Sequence, residues 1–477
     1  MSIKIDYSSP NTMVIGGVGG TTKVGINVTP TAYITLPAGT STTPPLVIGS
    51  GTNLSSQTAG AMEFDGYHLY FTGSTTRIPL DGYGGLSYAP AAANWWAGNT
   101  CTDWSKTQAV INRSIGAQGG PGQVIQYAHG ITALSQAYIG GVLTSNDKIY
   151  MVPFGQATQS NWHYIDTNTG SVVAYANSVT AINGAYQGGV LTQTGNIYLI
   201  PHTQATQTNW HYINSNTGVV TAYPHGVTAV NSAYIGGVLT PTQRIYMIPY
   251  HQSNQTNWHY INAASGTVTA YPHGLSPSPV DGAYYGGVLA PNGRIYMIPS
   301  SQAPQTNWHY IDTDGSVKPY AHGLVTPPVD GAYTGGVLAP NGRIYMMPYI
   351  QSLQSTWHYI DTSDGSVHAY THGATVVDRA YVGGVLAPNG RIYMVPYKQA
   401  NQSTWHYIDT NDGTVHSYTH GITALIQAYY SGTVTKNGRI YLIPLDQGNQ
   451  TNWHYIDTQS DLPFPKSVCT NPMFNKF

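Results

Sequence analysis

The chain has 477 residues, a formal net charge of −2 and only 8% charged residues, with Glu63 its single glutamate. That composition excludes nucleic-acid binding through bulk charge, because phosphate affinity needs clustered lysine and arginine. The 39 tyrosines and 10 tryptophans supply a core and argue against disorder, while 54 glycines and 30 prolines among many Thr, Ser and Asn indicate an all-β chain rich in turns.

The first residues, MSIKIDYSSPNT, lack the charged-then-apolar layout of a signal peptide. Work outside a cell would then require release by lysis or a dedicated exporter. No apolar run reaches membrane-spanning length, so no membrane insertion is expected. Within residues 1–81 the stretch Lys23 to Gly73 reads KVGINVTPTAYITLPAGT, then PPLVIGSGTNL, then AGAMEFDGYHLYFTG. It resembles a segment of bacteriophage tail-fibre and virion-appendage proteins, with its "LPAGT", "SGT-x-L" and "EFDG-x-x-LYFT" elements. The resemblance implies a β-rich fibre module that joins other virion proteins, a homo-oligomer (a trimer in that family), and a place on the particle surface.

Residues 82–121 read as a Gly-, Ala- and Asn-rich linker in which Trp95, Trp96 and Trp104 would dock against a neighbour. Cys101 lies there and Cys469 in the tail, residues 461–477. Two cysteines are too few for a disulfide scaffold or a thiolate metal site, although a single bridge between them is conceivable in sequence terms.

From residue 122 a repeat takes over. The triplet Trp-His-Tyr starts at Trp162, Trp210, Trp258, Trp308, Trp357, Trp405 and Trp453, in steps of 48, 48, 50, 49, 48 and 48 residues. Each copy divides into four short runs, in the fourth AYYGGVLA, RIYMIP, TNWHYID and SVKPYAHG. Pro291-Asn292-Gly293 joins the first two as a hairpin, with both turn positions expected at positive φ. No run is long or periodic enough for a helix. Four antiparallel strands per repeat match a propeller blade, and the GGVL-x-P-x-G-x-IY-x-x-P unit resembles those of bacterial and viral propeller-like proteins.

The seventh copy ends after its third run. Its missing strand stands before the first copy, where GQVIQYAHGITAL (Gly122 to Leu134) parallels GTVHSYTHGITAL (Gly413 to Leu425). The expected fold over residues 122–460 is therefore a seven-bladed β-propeller of four-stranded blades, closed by an N-terminal strand, Val124 to Tyr127. Closure removes two open sheet edges.

Candidate chemistry is sparse. The Gly-Gly pairs lack the G-x-G-x-x-G frame and helix of a nucleotide site, and read instead as places where inner strands crowd the axis. A basic residue opens the second strand and Asp or Asn closes the third, which predicts cross-strand ion pairs. The Trp of each W-H-Y reads as core, with a sugar-stacking platform as the alternative. No paired carboxylates, nucleophile elbow or zinc-protease motif occurs. The ring is therefore expected to be non-enzymatic, with no cofactor and no metal.

Binding is expected on the face with the longer loops, where uncharged side chains suit neutral glycans. His225, His273, His322, His372 and His420 of the Y-x-H-G motif, with Tyr250, are the candidate contacts, exposed and replaceable without loss of stability. The function these readings imply is a virion structural protein (tail fibre, spike or decoration) whose propeller head adheres to a host-surface receptor or glycan. A multivalent lectin, secreted or on a bacterial cell surface, and a purely structural tail or filament component are the alternatives.

Overall fold

The computed structural model of the chain describes residues 62–64, 69–72 and 77–79 and, apart from loop stretches of one to three residues, residues 122–458. The linker with its tryptophans, the tail, and both cysteines lie outside the described residues, as does most of the fibre-like segment. The chain divides into two compact units between Arg77 and Ile78. In the N-terminal region Met62–Phe64, Leu69–Thr72 and Arg77–Pro79 form a three-stranded sheet in sequence order, the first two antiparallel with Glu63 opposite Tyr70.

The ring consists of seven four-stranded antiparallel sheets. In the first blade the strands are Tyr138–Leu143, Lys148–Pro153, Asn161–Asp166 and Val172–Ala176, from the axis outward. The last blade has Tyr429–Val434, Arg439–Pro444 and Asn452–Asp457, and its outermost strand is Gln123–Ala128 from the start of the repeat region. The closing pair runs in unbroken register from Asn452 opposite Ala128 to Asp457 opposite Gln123. The strand that the final repeat lacks is thus supplied from the other end, and the ring has no open blade.

Second-strand residues such as Ile149, Tyr150, Met151 and Val152 are buried on both faces, because each blade is sandwiched between two neighbours. The core therefore lies between blades. Trp162, Tyr150 and Val152 of the first blade, for example, share one cluster with Tyr186, Ile197 and Leu199 of the second. All seven W-H-Y tryptophans are at most 1% exposed, which excludes the sugar-platform alternative.

The Gly-Gly pairs act as expected at the axis. A Cβ on Gly287 would stand 2.6 Å from Ile248 Cδ1 of the preceding blade, and one on Gly188 would meet the Gly236 backbone at 3.4 Å. The hairpin expectation needs a correction. In Pro291-Asn292-Gly293 only Gly293 has positive φ, +82°. Its N–H donates to Ala290 O (2.9 Å), and Ala290 N–H donates to Arg294 O (2.8 Å). This is the three-residue connection with one left-handed residue, rather than the two-residue mirror-image turn. Asn292 is freed to reach the next blade, where its Nδ2 donates to Thr362 O at 2.9 Å.

The cross-strand ion pairs are present at Arg294–Asp312 (3.6 Å), Arg391–Asp409 (3.7 Å) and Arg439–Asp457 (3.9 Å). The same cations also lie over the W-H-Y tyrosine of their blade, Arg294 over Tyr310 at 4.4 Å and Arg391 over Tyr407 at 4.6 Å. Lys148 over Tyr164 and Arg244 over Tyr260 repeat the arrangement, at about 0.5–1 kcal/mol each where exposed.

Candidate binding site at the ring mouth

Innermost strands start, second strands end and outermost strands return on one face of the ring, called here the mouth. Two sets of side chains converge there. The second residue of each innermost strand points to the axis, and these differ from blade to blade, with Ile139, Gln187, Ile235, Tyr285 and Tyr430 among them. The residue after the last proline of each second strand stands around them and varies equally, as Phe154, His202, Tyr250, Tyr349, Tyr397 and Leu445 illustrate.

The floor of the mouth is a polar bridge across the axis. The hydroxyls of Tyr285 and Tyr430, from the fourth and seventh blades, are hydrogen-bonded to each other, and Gln187 Nε2 donates to Tyr430 Oη at 3.1 Å. Above it lies an open depression of about 350 Å³, lined by Tyr250, Tyr285, Tyr397, Tyr430, Gln136, Gln187, Gln427 and His202 with apolar Phe154, Ile139, Ile235 and Leu445. Tyr250 packs edge-on to Tyr285 (centroids 5.9 Å) and Tyr397 edge-on to Tyr430 (6.3 Å).

Burial pushes the phenols of Tyr285, Tyr397 and Tyr430 above the ordinary tyrosine range. They are therefore neutral hydrogen-bonding groups at neutral pH. Burial also lowers His202, which the neighbouring His251 reinforces and its own 3.0 Å hydrogen bond to Tyr234 O opposes. With Nδ1 donating to that carbonyl in the neutral imidazole, Nε2 is left as an acceptor. The mouth is an uncharged cup of aromatic faces and amides.

Of the residues singled out from the sequence, Tyr250 is in this cup. The histidines are not. His225, His273, His322, His372 and His420 are 4–7% exposed. In each, Nε2 donates to the carbonyl of a glutamine at the end of the preceding loop (Gln207, Gln255, Gln305, Gln354 and Gln402, at 2.5–2.7 Å). Nδ1 accepts the N–H two residues on, as in Leu275 N–H to His273 at 3.1 Å. The ring also lies against the W-H-Y tryptophan, 4.1 Å between centroids for His372 on Trp357. Both nitrogens are occupied, so these side chains clamp the loops and have nothing left to offer a ligand.

The one blade with asparagine in this place shows the same logic. Asn177 Nδ2 donates to Gln159 O at 2.7 Å, and its Oδ1 accepts from Val179 N–H at 3.2 Å. An amide reproduces both bonds of the imidazole. The W-H-Y histidines are buried or partly buried, each with Nδ1 hydrogen-bonded to the tyrosine that opens the innermost strand, as in Tyr284–His309 and Tyr333–His358.

A second depression, of about 410 Å³, lies on the flank between the fourth and fifth blades, against Arg294, Tyr310, Tyr320 and Asp364. Its walls mix residues that recur in every blade, such as Tyr310 and Tyr320, with ones that vary, such as Arg294 and Asp364. The mouth gathers variable positions from several blades into one polar and aromatic cup at the axis, and this convergence is the feature that marks it as a site. Among the described residues no group of three or more His, Cys, Asp or Glu is placed to hold a metal.

No family model matches the chain, and no curated protein is similar to it. Solved structures do match. A streptogramin B lyase is 15% identical with a TM-score of 0.50, over 70% of this chain and 97% of the lyase. Virginiamycin B lyase from Staphylococcus aureus is 12% identical with a TM-score of 0.50, over 70% and 98%. Its catalytically inactive histidine-to-alanine variant, with quinupristin, is 11% identical with a TM-score of 0.51, over 70% and 99%.

The likeness is one of fold. It nevertheless corrects the expectation that a ring of this kind is non-enzymatic. That expectation rested on missing paired carboxylates and hydrolase motifs, yet these three matching structures are lyases, one of them made inactive by a histidine-to-alanine change. The absent motifs do not exclude catalysis on this architecture, and the expectation is withdrawn.

Proposed function

We propose that this chain is the host-binding component of a virion appendage, and that its ring holds a neutral glycan in the axial mouth. The observation that carries the reading is the chemistry of the cup. Tyrosine faces suit the C–H faces of sugar rings, and Gln136, Gln187 and Gln427 pair donors and acceptors with hydroxyls. A rigid ring holds these groups in place, as binding loops on a scaffold require.

The described ends of the ring, Gly122 and Thr458, emerge together on the face opposite the mouth, where Gln123 pairs with Asp457. A tether there leaves the mouth free. The tail-fibre resemblance of Lys23 to Gly73 supports attachment through that region to other virion proteins, and a trimer on the particle exterior. A glycan array probed with the full chain tests the reading. Retention on neutral glycans, released by the free sugar, is expected; no retention on any glycan would overturn it.

A further inference from the structure

We propose that the mouth, although built from seven similar blades, holds a single ligand, and that Gln136 and Gln427, with Arg379 beside them, select it. This deepens the glycan reading above and rests on it.

The turn leading into each innermost strand has the same backbone in every blade. One residue donates its N–H to the carbonyl of the preceding blade's mouth residue. Its own carbonyl accepts the N–H of the residue that follows the mouth residue of its own blade, as Gly155 N–H donates to Gln136 O. Gln136 N–H donates to Leu445 O, Arg379 to Tyr349 O and Gln427 to Tyr397 O, each at 2.7 Å, just as Gly184 donates to Phe154 O and Gly282 to Tyr250 O, both at 2.9 Å.

This residue is left-handed throughout. Gly184, Gly282 and Gly331 have φ of +68°, +70° and +72°, and cost nothing there. Gln136, Ser232, Arg379 and Gln427 adopt +56°, +55°, +58° and +59°, a region that disfavours any residue with a Cβ. The fold thus offers glycine at this place and four blades decline it. The long polar side chains fall in three adjacent blades, the sixth, seventh and first. Strained backbone that keeps a side chain is a pointer to function.

Their surroundings fit. Gln136 and Gln427 line the depression together with Tyr397, Tyr430 and Leu445, and Arg379 lies 5.8 Å over the Tyr349 ring. On the same blades Arg379 and Lys398 are balanced in charge by Asp378 and Asp446. This balance favours a neutral ligand, and the two amides with the tyrosine rings beside them match the hydroxyls and apolar face of one hexopyranose. The blades on the other side carry only Gly184, Ser232, Gly282 and Gly331 at the rim, small residues that leave room for the rest of a chain.

The test is calorimetric titration of the full chain with neutral trisaccharides of glucose, mannose, galactose and N-acetylglucosamine. It is repeated with a Gln136→Gly, Gln427→Gly double variant and with Arg379→Gly. Glycine suits the left-handed backbone, so melting temperatures should hold or rise in both variants. The expected result is one site per chain and at least a tenfold loss of affinity in the double variant. More than one site per chain, or unchanged affinity in the double variant, overturns the selective sector and leaves the glycan reading standing. A wild-type chain that binds none of the four overturns that reading, and the sector with it.

Discussion

Trp453 of the last blade lies directly opposite Tyr127 of the N-terminal strand, the same pairing that sets Trp162 opposite Tyr175 within the first blade. The Tyr127 ring packs edge-on to both Trp453 (6.5 Å) and Tyr441 (5.5 Å). The closing strand therefore rebuilds a full blade contact between chain segments more than 300 residues apart.

Deleting residues through Tyr127 should consequently cost on the order of 5 kcal/mol in apolar burial alone, lowering the melting temperature by about 10 °C or more. A deletion ending at Gly116 leaves the strand in place and should melt like the full chain. Equal melting of the two truncations would show that the ring is not held by this strand.

The Y-x-H-G histidines carry a second prediction. His273→Ala removes two buried hydrogen bonds and a stacked ring, and should cost about 1–3 kcal/mol. His273→Asn should recover a good part of it, because Asn177 makes both bonds in its own blade. Chemical denaturation of the three proteins ranks them, and an asparagine variant no better than alanine would contradict the clamp.

Acid should loosen the ring. Burial first, and the nearby Y-x-H-G histidine second, lower His259, His309, His358, His406 and His454 to about 4. The unfolded chain, with histidines near 6.5, then binds more protons than the folded one between pH 4 and 6.5. The stability these residues confer is complete above about pH 6.5 and is lost as pH falls toward 4. Thermal melts should be level from pH 7 to 8 and decline steeply below 6.5; melts that stay level down to pH 4.5 would contradict it.

The glycine pairs divide in their tolerance. Gly287→Ala drives a Cβ to 2.6 Å from Ile248 Cδ1, whereas a Cβ on Gly383 meets nothing within 4 Å. Overpacking at the first should cost about 1–3 kcal/mol, and Gly383→Ala should be nearly neutral. Thermal melts that rank them the other way would refute the close-approach account.

The architecture was legible in the chain because closure is written as local similarity, GQVIQYAHGITAL against GTVHSYTHGITAL. The ion pairs were legible because strand register follows from hairpin spacing. The histidine clamp was not. Next to a glycine turn, His273 reads as surface, and its burial depends on a carbonyl at Gln255, 18 residues back. The mouth was legible only in part, through Tyr250, since its residues come from different blades and meet only when the ring closes. One signal was available. In a chain that repeats nearly everything, the position after the second-strand proline varies, with Tyr250, Tyr349 and Tyr397 in three blades and Phe154, His202, Ser300 and Leu445 in the other four.

The central claim, that the ligand site is the axial cup and not the ring of histidines, is tested by the affinity of three variants for whichever neutral glycan the wild-type chain retains. Tyr250→Ala and Tyr397→Ala each remove a wall of the cup and should weaken binding at least tenfold, with folding intact by circular dichroism. His273→Ala should melt earlier yet bind with wild-type affinity at a temperature where it is folded. Wild-type affinity in both tyrosine variants, with binding lost in His273→Ala, would contradict the account.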